Sequence, residues 1–403
     1  MQIDTKPTGL SAKRLERISA HLDRNYVSAG KITGCQTLVA RHGHVAYFKS
    51  LGLADRENAT PMADDTIFRI YSMTKPITSI ALMQLWEQGR FQLNDPVEKV
   101  IPEWSDMKVY VSGEGESMVT RPAARPMTFS HLLSHRSGLS YGFSNHPVDR
   151  AYGGAQVIRG QGETLRTFVE KLADLPLMYD PGDRWMYSYS TDVCGYLVEA
   201  IWGKPFDQYL QQEIFEPLGM VDTAFRVAPE NAHRLAANYM RQADKTMMLM
   251  DAPATSTYLR EPTFLSGGGG LTSTTADYLR FAEMLRRGGE LDGERMIGSR
   301  TLQMMTRNHL PGEASLAGLA IGLFSEAKYE GTGFGLGFAM TIDQVAAGLP
   351  CEGEFFWGGA ASTYFWVDPK EDLLAIFMTQ LMPSTTFDFR GQLKDIVYSA
   401  IED

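Results

Sequence analysis

Hydrophobic positions change period several times along the chain. After Ser11, the residues Leu15, Ile18, Leu22 and Tyr26 recur at helical spacing, which predicts an amphipathic helix with a serine cap. CQTLVARHGHVAYFKSLGLAD follows, two β-rich runs on either side of Gly43, and reads as a hairpin. Residues 74–88 form a long helix, with Ile77, Ile80, Ala81, Leu85 and Trp86 on one side and Gly89 as its stop. Further helices are predicted at 164–174, 190–202 and 206–214, and TFSHLLSHRSG reads as a short polar helix. SGEGES (112–117) and RPAARP (121–126) look like surface loops. SGGGGLTS (266–273) reads as a tight turn leading into a helix from Thr275; it lacks the G-K-[ST] ending and the preceding strand of a phosphate loop. The last hundred residues return to β-pattern. Strands are predicted at 333–342, within 355–368 and at 373–380, with a turn at Asp368-Pro369-Lys370 and a closing helix at 387–401.

The simplest packing of this order is an α/β (α+β) fold. Residues 1–90 and 305–403 join in one central antiparallel sheet flanked by helices, and 91–304 form a mainly helical insertion domain. The cleft between the two parts is the natural place for a site.

Composition narrows the function classes. The chain has 403 residues, 44% of them hydrophobic, enough for a large core. The net charge of −10 comes without basic runs, which argues against nucleic acid or anionic membranes as partners. No apolar run is long enough to span a bilayer, and the N-terminus lacks the apolar core of a signal peptide. Cys35, Cys194 and Cys351 are far apart, so reduced thiols in a cytoplasmic protein are expected. His42 and His44 lack a third ligand, and His131 and His135 lack the glutamate of H-E-x-x-H; no metal and no cofactor are expected.

Two serine signatures compete. Gly138-Leu139-Ser140-Tyr141-Gly142 spells G-x-S-x-G. A nucleophile elbow needs a buried strand before it and a helix after it. Here a polar segment precedes Ser140, Pro147 is expected to keep the stretch YGFSNHPVDR after it from being a helix, and the downstream His146, His233 and His309 stand in no recognisable setting. S-x-x-K occurs at Ser72–Lys75, Ser105–Lys108 and Ser325–Lys328. Only Ser72 follows an apolar run, IFRIY, and opens a long helix, with Pro76 suited to the first turn. At i and i+3, Ser72 and Lys75 lie on one helix face. A lysine serves as base only when neutral, and burial and the helix dipole both lower its pKa. The Ser72 N–H, unpaired at a helix start, can face an oxyanion.

Ser72-Met73-Thr74-Lys75 resembles the active-site signature of serine β-lactamases and penicillin-binding proteins. The segment from Pro181 to Val193 resembles the one carrying their catalytic tyrosine, and this places Tyr187 in that role. Trp357-Gly358-Gly359-Ala360 stands where class C enzymes have K-T-G. Y-x-N has become Tyr187-Ser188-Tyr189, the K-T-G lysine has become an indole, and S-D-N is absent. That combination is similar to the family VIII carboxylesterases, which share the β-lactamase fold and often carry a G-x-S-x-G that is not catalytic. The resemblance implies a serine carboxylesterase that hydrolyses short-chain esters through an acyl-enzyme on Ser72, with a small-molecule ester as its partner. Lys75 and Tyr187 would move protons, with the ionised phenol favoured by the nearby cation. The N–H groups of Ser72 and Ala360 would hold the oxyanion, Gly358 and Gly359 would let the strand approach the substrate, and Trp357 would give an apolar wall. The same site could run an acyltransferase or a weak β-lactamase. A binding module that kept only the fold is the alternative of another kind, and the intact Ser72, Lys75 and Tyr187 argue against it.

Overall fold

The structure is a computed structural model that describes residues 2–157, 162–321 and 326–402. Ser325 of the third S-x-x-K string lies outside them.

The hairpin around Gly43 forms as β1 (Gly34–Arg41) and β2 (His44–Asp55). His42 and Gly43 both have positive φ, 55° and 78°, as a two-residue turn matched to strand twist requires. Every residue of β1 is buried. It can be, because β1 lies inside the sheet, between β2 and the strand Leu373–Met378. β3 (Thr60–Pro61) closes one edge. Beyond Leu373–Met378 come Tyr364–Asp368, Phe355–Gly358, Ala339–Thr341 and Thr332–Phe334. The result is an eight-stranded sheet, antiparallel throughout, that joins the two ends of the chain as expected.

Three expectations about strands and loops change. GFGLGFAMTI is a hairpin of two short strands rather than one strand, with Gly333 opposite Met340. Gly337 turns the chain at φ 92°, a conformation that glycine adopts without a Cβ penalty. SGEGES is the tip of a second hairpin, Lys108–Ser112 with Val119–Pro122, so RPAARP begins inside a strand. The stretch 91–304, expected to be mainly helical, also supplies Asn238–Arg241 and Met247–Asp251 to a three-stranded sheet with Leu381–Met382.

The helices that position the site are α1 (Ala12–Leu22), α2 (Thr74–Glu87), α3 (Phe129–Leu133), α4 (Pro147–Gly154), α5 (Leu165–Ala173) and α6 (Ser190–Trp202). α1 buries Leu15, Ile18 and Leu22 and packs beside the C-terminal helix Phe389–Tyr398. The helix Thr275–Arg286 packs on Tyr364–Asp368 and Leu373–Met378. α2 does not show the one-sided face its sequence predicts. All residues from Thr74 to Met83 are buried, polar ones included, because α2 runs through the interior against α6. Among the described residues no helix is long and apolar enough to cross a membrane.

Candidate active site

The nucleophile candidate sits on a strained turn. β4 (Ile67–Arg69) pairs with Thr272–Thr274, then the chain turns through Tyr71 into a short 3-10 segment that continues as α2. Tyr71 has φ 43°, a left-handed conformation that costs a non-glycine residue about 1 kcal/mol or more. Its hydroxyl accepts from Asn238 Nδ2 at 2.9 Å. The turn leaves Ser72 facing a cavity of about 470 Å3.

Lys75 lies one helical turn on, and its Nζ donates to Ser72 Oγ at 3.2 Å and to the Gly268 carbonyl at 2.6 Å. Burial pushes the ammonium down to about 8, against the raising fields of Asp192 and Glu326. A buried lysine near that value is neutral often enough at mild pH to take a proton.

The Gly-rich run does more than turn the chain. A Cβ on Gly267 would lie 2.7 Å from the Thr191 carbonyl, and one on Gly268 would lie 2.4 Å from Asp192 Oδ2. Only glycine lets this loop press onto α6 and bring the Gly268 carbonyl to Lys75. Asp192 fixes the loop by accepting from Ser266 Oγ at 2.5 Å and from the Gly268 N–H at 3.1 Å. Sequence reasoning missed both Asp192 and Gly268. Four consecutive glycines were the available signal, since such a run also marks a close backbone approach.

Tyr187 meets Ser72 and Lys75 here. Its hydroxyl hydrogen-bonds Ser72, and Lys75 Nζ lies 4.5 Å from its ring centroid. The ionised phenol favoured in the sequence reading is not what this environment favours. Burial, then the Glu326 carboxylate, holds the phenol well above its usual range, outweighing the hydrogen bonds from Ser72 and Trp357. His135 stands 5.0 Å away, ring to ring, and burial and Lys75 keep its imidazole neutral.

The Trp357–Ala360 segment ends the strand beside Ser72, with three roles altered. Trp357 is fully buried and does not line the cavity; its Nε1–H donates to Tyr187 Oη at 3.2 Å. It positions the phenol instead of walling the substrate. Gly358 faces away, since a Cβ there would meet Arg390 Nη2 at 2.2 Å. A Cβ on Gly359 would meet Thr363 Oγ1 at 2.2 Å and the Ile70 carbonyl at 2.4 Å. These glycines therefore admit neighbouring protein, not substrate. Ala360 does line the cavity with Ser72. Among the described residues neither the Ser72 nor the Ala360 N–H donates to a protein acceptor, so both can serve an oxyanion. Gly359→Ala is expected to force the strand end off the Ile70 turn and to cost about 1–3 kcal/mol. Thermal unfolding and kcat, measured together, check this.

Ser140 is elsewhere. Contrary to expectation, Pro147 does not keep the stretch after Ser140 from being helical; it opens α4 in its first turn, where no backbone donor is lost. Its hydroxyl is buried and donates to Asp149, and it accepts from the Gly142 N–H at 3.2 Å. The motif's neighbours Tyr141 and Gly142 line the cavity, but Ser140 does not. Ser105 and Lys108 flank Asp106, which holds the Lys108 ammonium at 2.6 Å.

The family model described as Beta-lactamase matches residues 19–397. Esterase EstB of Burkholderia gladioli is 30% identical over 386 residues, 90% of each chain. Acyltransferase calJ of Penicillium decumbens is 30% identical over 338 residues, 81% of this chain and 78% of that one. The solved structure of EstCE1, a hydrolase with promiscuous acyltransferase activity, superposes with a TM-score of 0.81 at 26% identity, covering 96% of this chain and 99% of that one. Its fold, its motifs in order and these relatives make the chain a serine hydrolase of the beta-lactamase family.

Proposed function

We propose that this protein is a carboxylesterase that cleaves uncharged esters of short acyl chains through an acyl-enzyme on Ser72. The observation that carries this reading is the Ser72–Lys75 contact of 3.2 Å, with a lysine lowered to about 8, at the wall of the cavity. Ser72 Oγ attacks the ester carbonyl carbon and its proton passes to neutral Lys75. The oxyanion sits between the Ser72 and Ala360 N–H groups. The protonated Tyr187 hydroxyl gives its proton to the departing alkoxide and is reprotonated from Lys75. The carbonyl reforms as an ester of Ser72. Water then enters and gives its proton to neutral Lys75 as its oxygen attacks the acyl carbon; the Ser72 alkoxide leaves, takes that proton back from Lys75, and the acid is released. This assigns Lys75 as the base and Tyr187 as the acid, the order that their opposite displacements favour.

An alcohol in place of that water makes the same site an acyltransferase. The likeness to Acyltransferase calJ favours keeping this second reading. A new ester formed from p-nitrophenyl butyrate and an added alcohol marks it. The indole where a β-lactam carboxylate would want a lysine supports slow β-lactam turnover at most.

The test is the pH dependence of p-nitrophenyl butyrate hydrolysis. With Lys75 as base, kcat/KM climbs as the ammonium loses its proton and levels above about 8. A profile flat from pH 6 to 9 contradicts the assignment. Trp357→Phe removes the donor to Tyr187 Oη and is expected to lower kcat about tenfold with little change in KM, the worth of one buried hydrogen bond.

A further inference from the structure

The loop that spells G-x-S-x-G is built around a clasp that the reaction does not use. Asp149 on α4 accepts from the Ser140 hydroxyl, from the Ser144 hydroxyl and, at 2.8 Å, from the Ser144 N–H. These bonds tie both ends of the segment 140–144 to one buried carboxylate. What the clasp presents is a pair of rings. Tyr141 and Phe143 stack with centroids 5.1 Å apart and planes 14° from parallel. Both line the cavity, and Phe143 is 66% exposed. Phe143 thus sets an apolar ring at the rim of the cavity, stacked on Tyr141, where a ring of a bound molecule can meet the pair.

The direction of the pair fixes which part of a substrate meets it. Tyr141 stands edge-on to Tyr187 with centroids 5.2 Å apart. In the reading above, Tyr187 protonates the departing alkoxide, so the alcohol portion of the ester lies on its side of Ser72. Moving outward from Tyr187, that portion meets Tyr141 and then Phe143. The cavity, at about 470 Å3, is far larger than a short acyl chain fills and falls in the range of about 300–1,000 Å3 that holds drug-sized ligands.

We propose that Tyr141 and Phe143, held by the Ser140–Asp149–Ser144 clasp, form a stacking platform for the alcohol portion of the substrate, and that the site selects esters of flat, ring-bearing alcohols. This rests on the esterase reading. It also gives the G-x-S-x-G segment a role: Ser140 positions a specificity element and performs no acyl transfer.

The test compares 2-naphthyl butyrate with ethyl butyrate, two esters that leave the same acyl group on the enzyme. The quantity read is the ratio of their kcat/KM values in wild type, Phe143→Ala and Asp149→Asn, with Ser72→Ala as the inactive control. Phe143→Ala is expected to cut the naphthyl-to-ethyl ratio by about five- to tenfold, mainly through KM for the naphthyl ester, the size of one lost aromatic stack. Asp149→Asn is expected to move the ratio the same way by loosening the loop. An unchanged ratio in Phe143→Ala overturns the platform, and this variant stays informative if Asp149→Asn does not fold, because Phe143 is exposed. Hydrolysis of both esters by Ser72→Ala would instead overturn the esterase reading itself, so the two failures are distinct.

Discussion

Ser72→Ala is expected to lose p-nitrophenyl butyrate hydrolysis by a factor of about 10⁴ or more, the scale on which removal of a covalent nucleophile acts. Ser140→Ala is expected to keep kcat, with a rise in KM for this aryl ester as the loop loosens, and to lose stability. The contrast follows from what each hydroxyl touches. Ser72 Oγ has a buried amine at 3.2 Å and opens onto the cavity. Ser140 Oγ is shut away from solvent and donates to a carboxylate, with no imidazole among its partners in the described residues. Removing it leaves Asp149 with the two Ser144 donors and costs about 1–3 kcal/mol for a buried charged acceptor. Steady-state kinetics and thermal unfolding of both variants check the pair of outcomes.

Lys75→Met is expected to slow acylation by about 10³-fold or more, the range of a lost general base at an unactivated hydroxyl. Methionine keeps most of the volume, so packing of α2 survives. Two consequences separate a base from a merely structural residue. The limb of the pH profile near 8 disappears, because the group that titrates there is gone. The Gly268 carbonyl loses its donor at 2.6 Å, yet Asp192 still holds the loop through Ser266 and the Gly268 N–H. Folding is therefore retained while kcat falls. Recovery of rate with added small amines would strengthen the assignment, and a residual rate within tenfold of wild type would refute it.

The legible parts of the sequence were those with local causes. The hairpin at Gly43 announces itself by two β-runs and a turn, and β1 and β2 follow. The helix after Ser72 announces itself by period and by Pro76. The pairing of Ser72 with Lys75 depends only on helical spacing, so it was readable without any long-range knowledge. What depends on distant approach was not. Trp357 meets Tyr187 across 170 residues of chain, and nothing local tells an indole that walls a substrate from one that donates to a phenol. The ionisation of Tyr187 turns on burial, which a nearby cation in the motif does not reveal. Gly358 and Gly359 look like concessions to a ligand until Arg390 and Ile70 appear against them. Asp192 is one more acidic residue in a helical run until Gly268 folds onto it. In GFGLGFAMTI the glycines hid a turn, because each of the two strands is only three residues long, too short for alternation to register.

The central claim is that chemistry passes through a covalent ester on Ser72. The direct measurement is to react the protein with a serine-directed p-nitrophenyl phosphonate, digest it, and locate the added mass by peptide sequencing in the mass spectrometer. The account predicts one modification, on Ser72 within IYSMTKPI, formed in step with loss of esterase activity and absent from Ser72→Ala. A label on Ser140 within RSGLSYG, or full loss of activity with Ser72 unmodified, would contradict it.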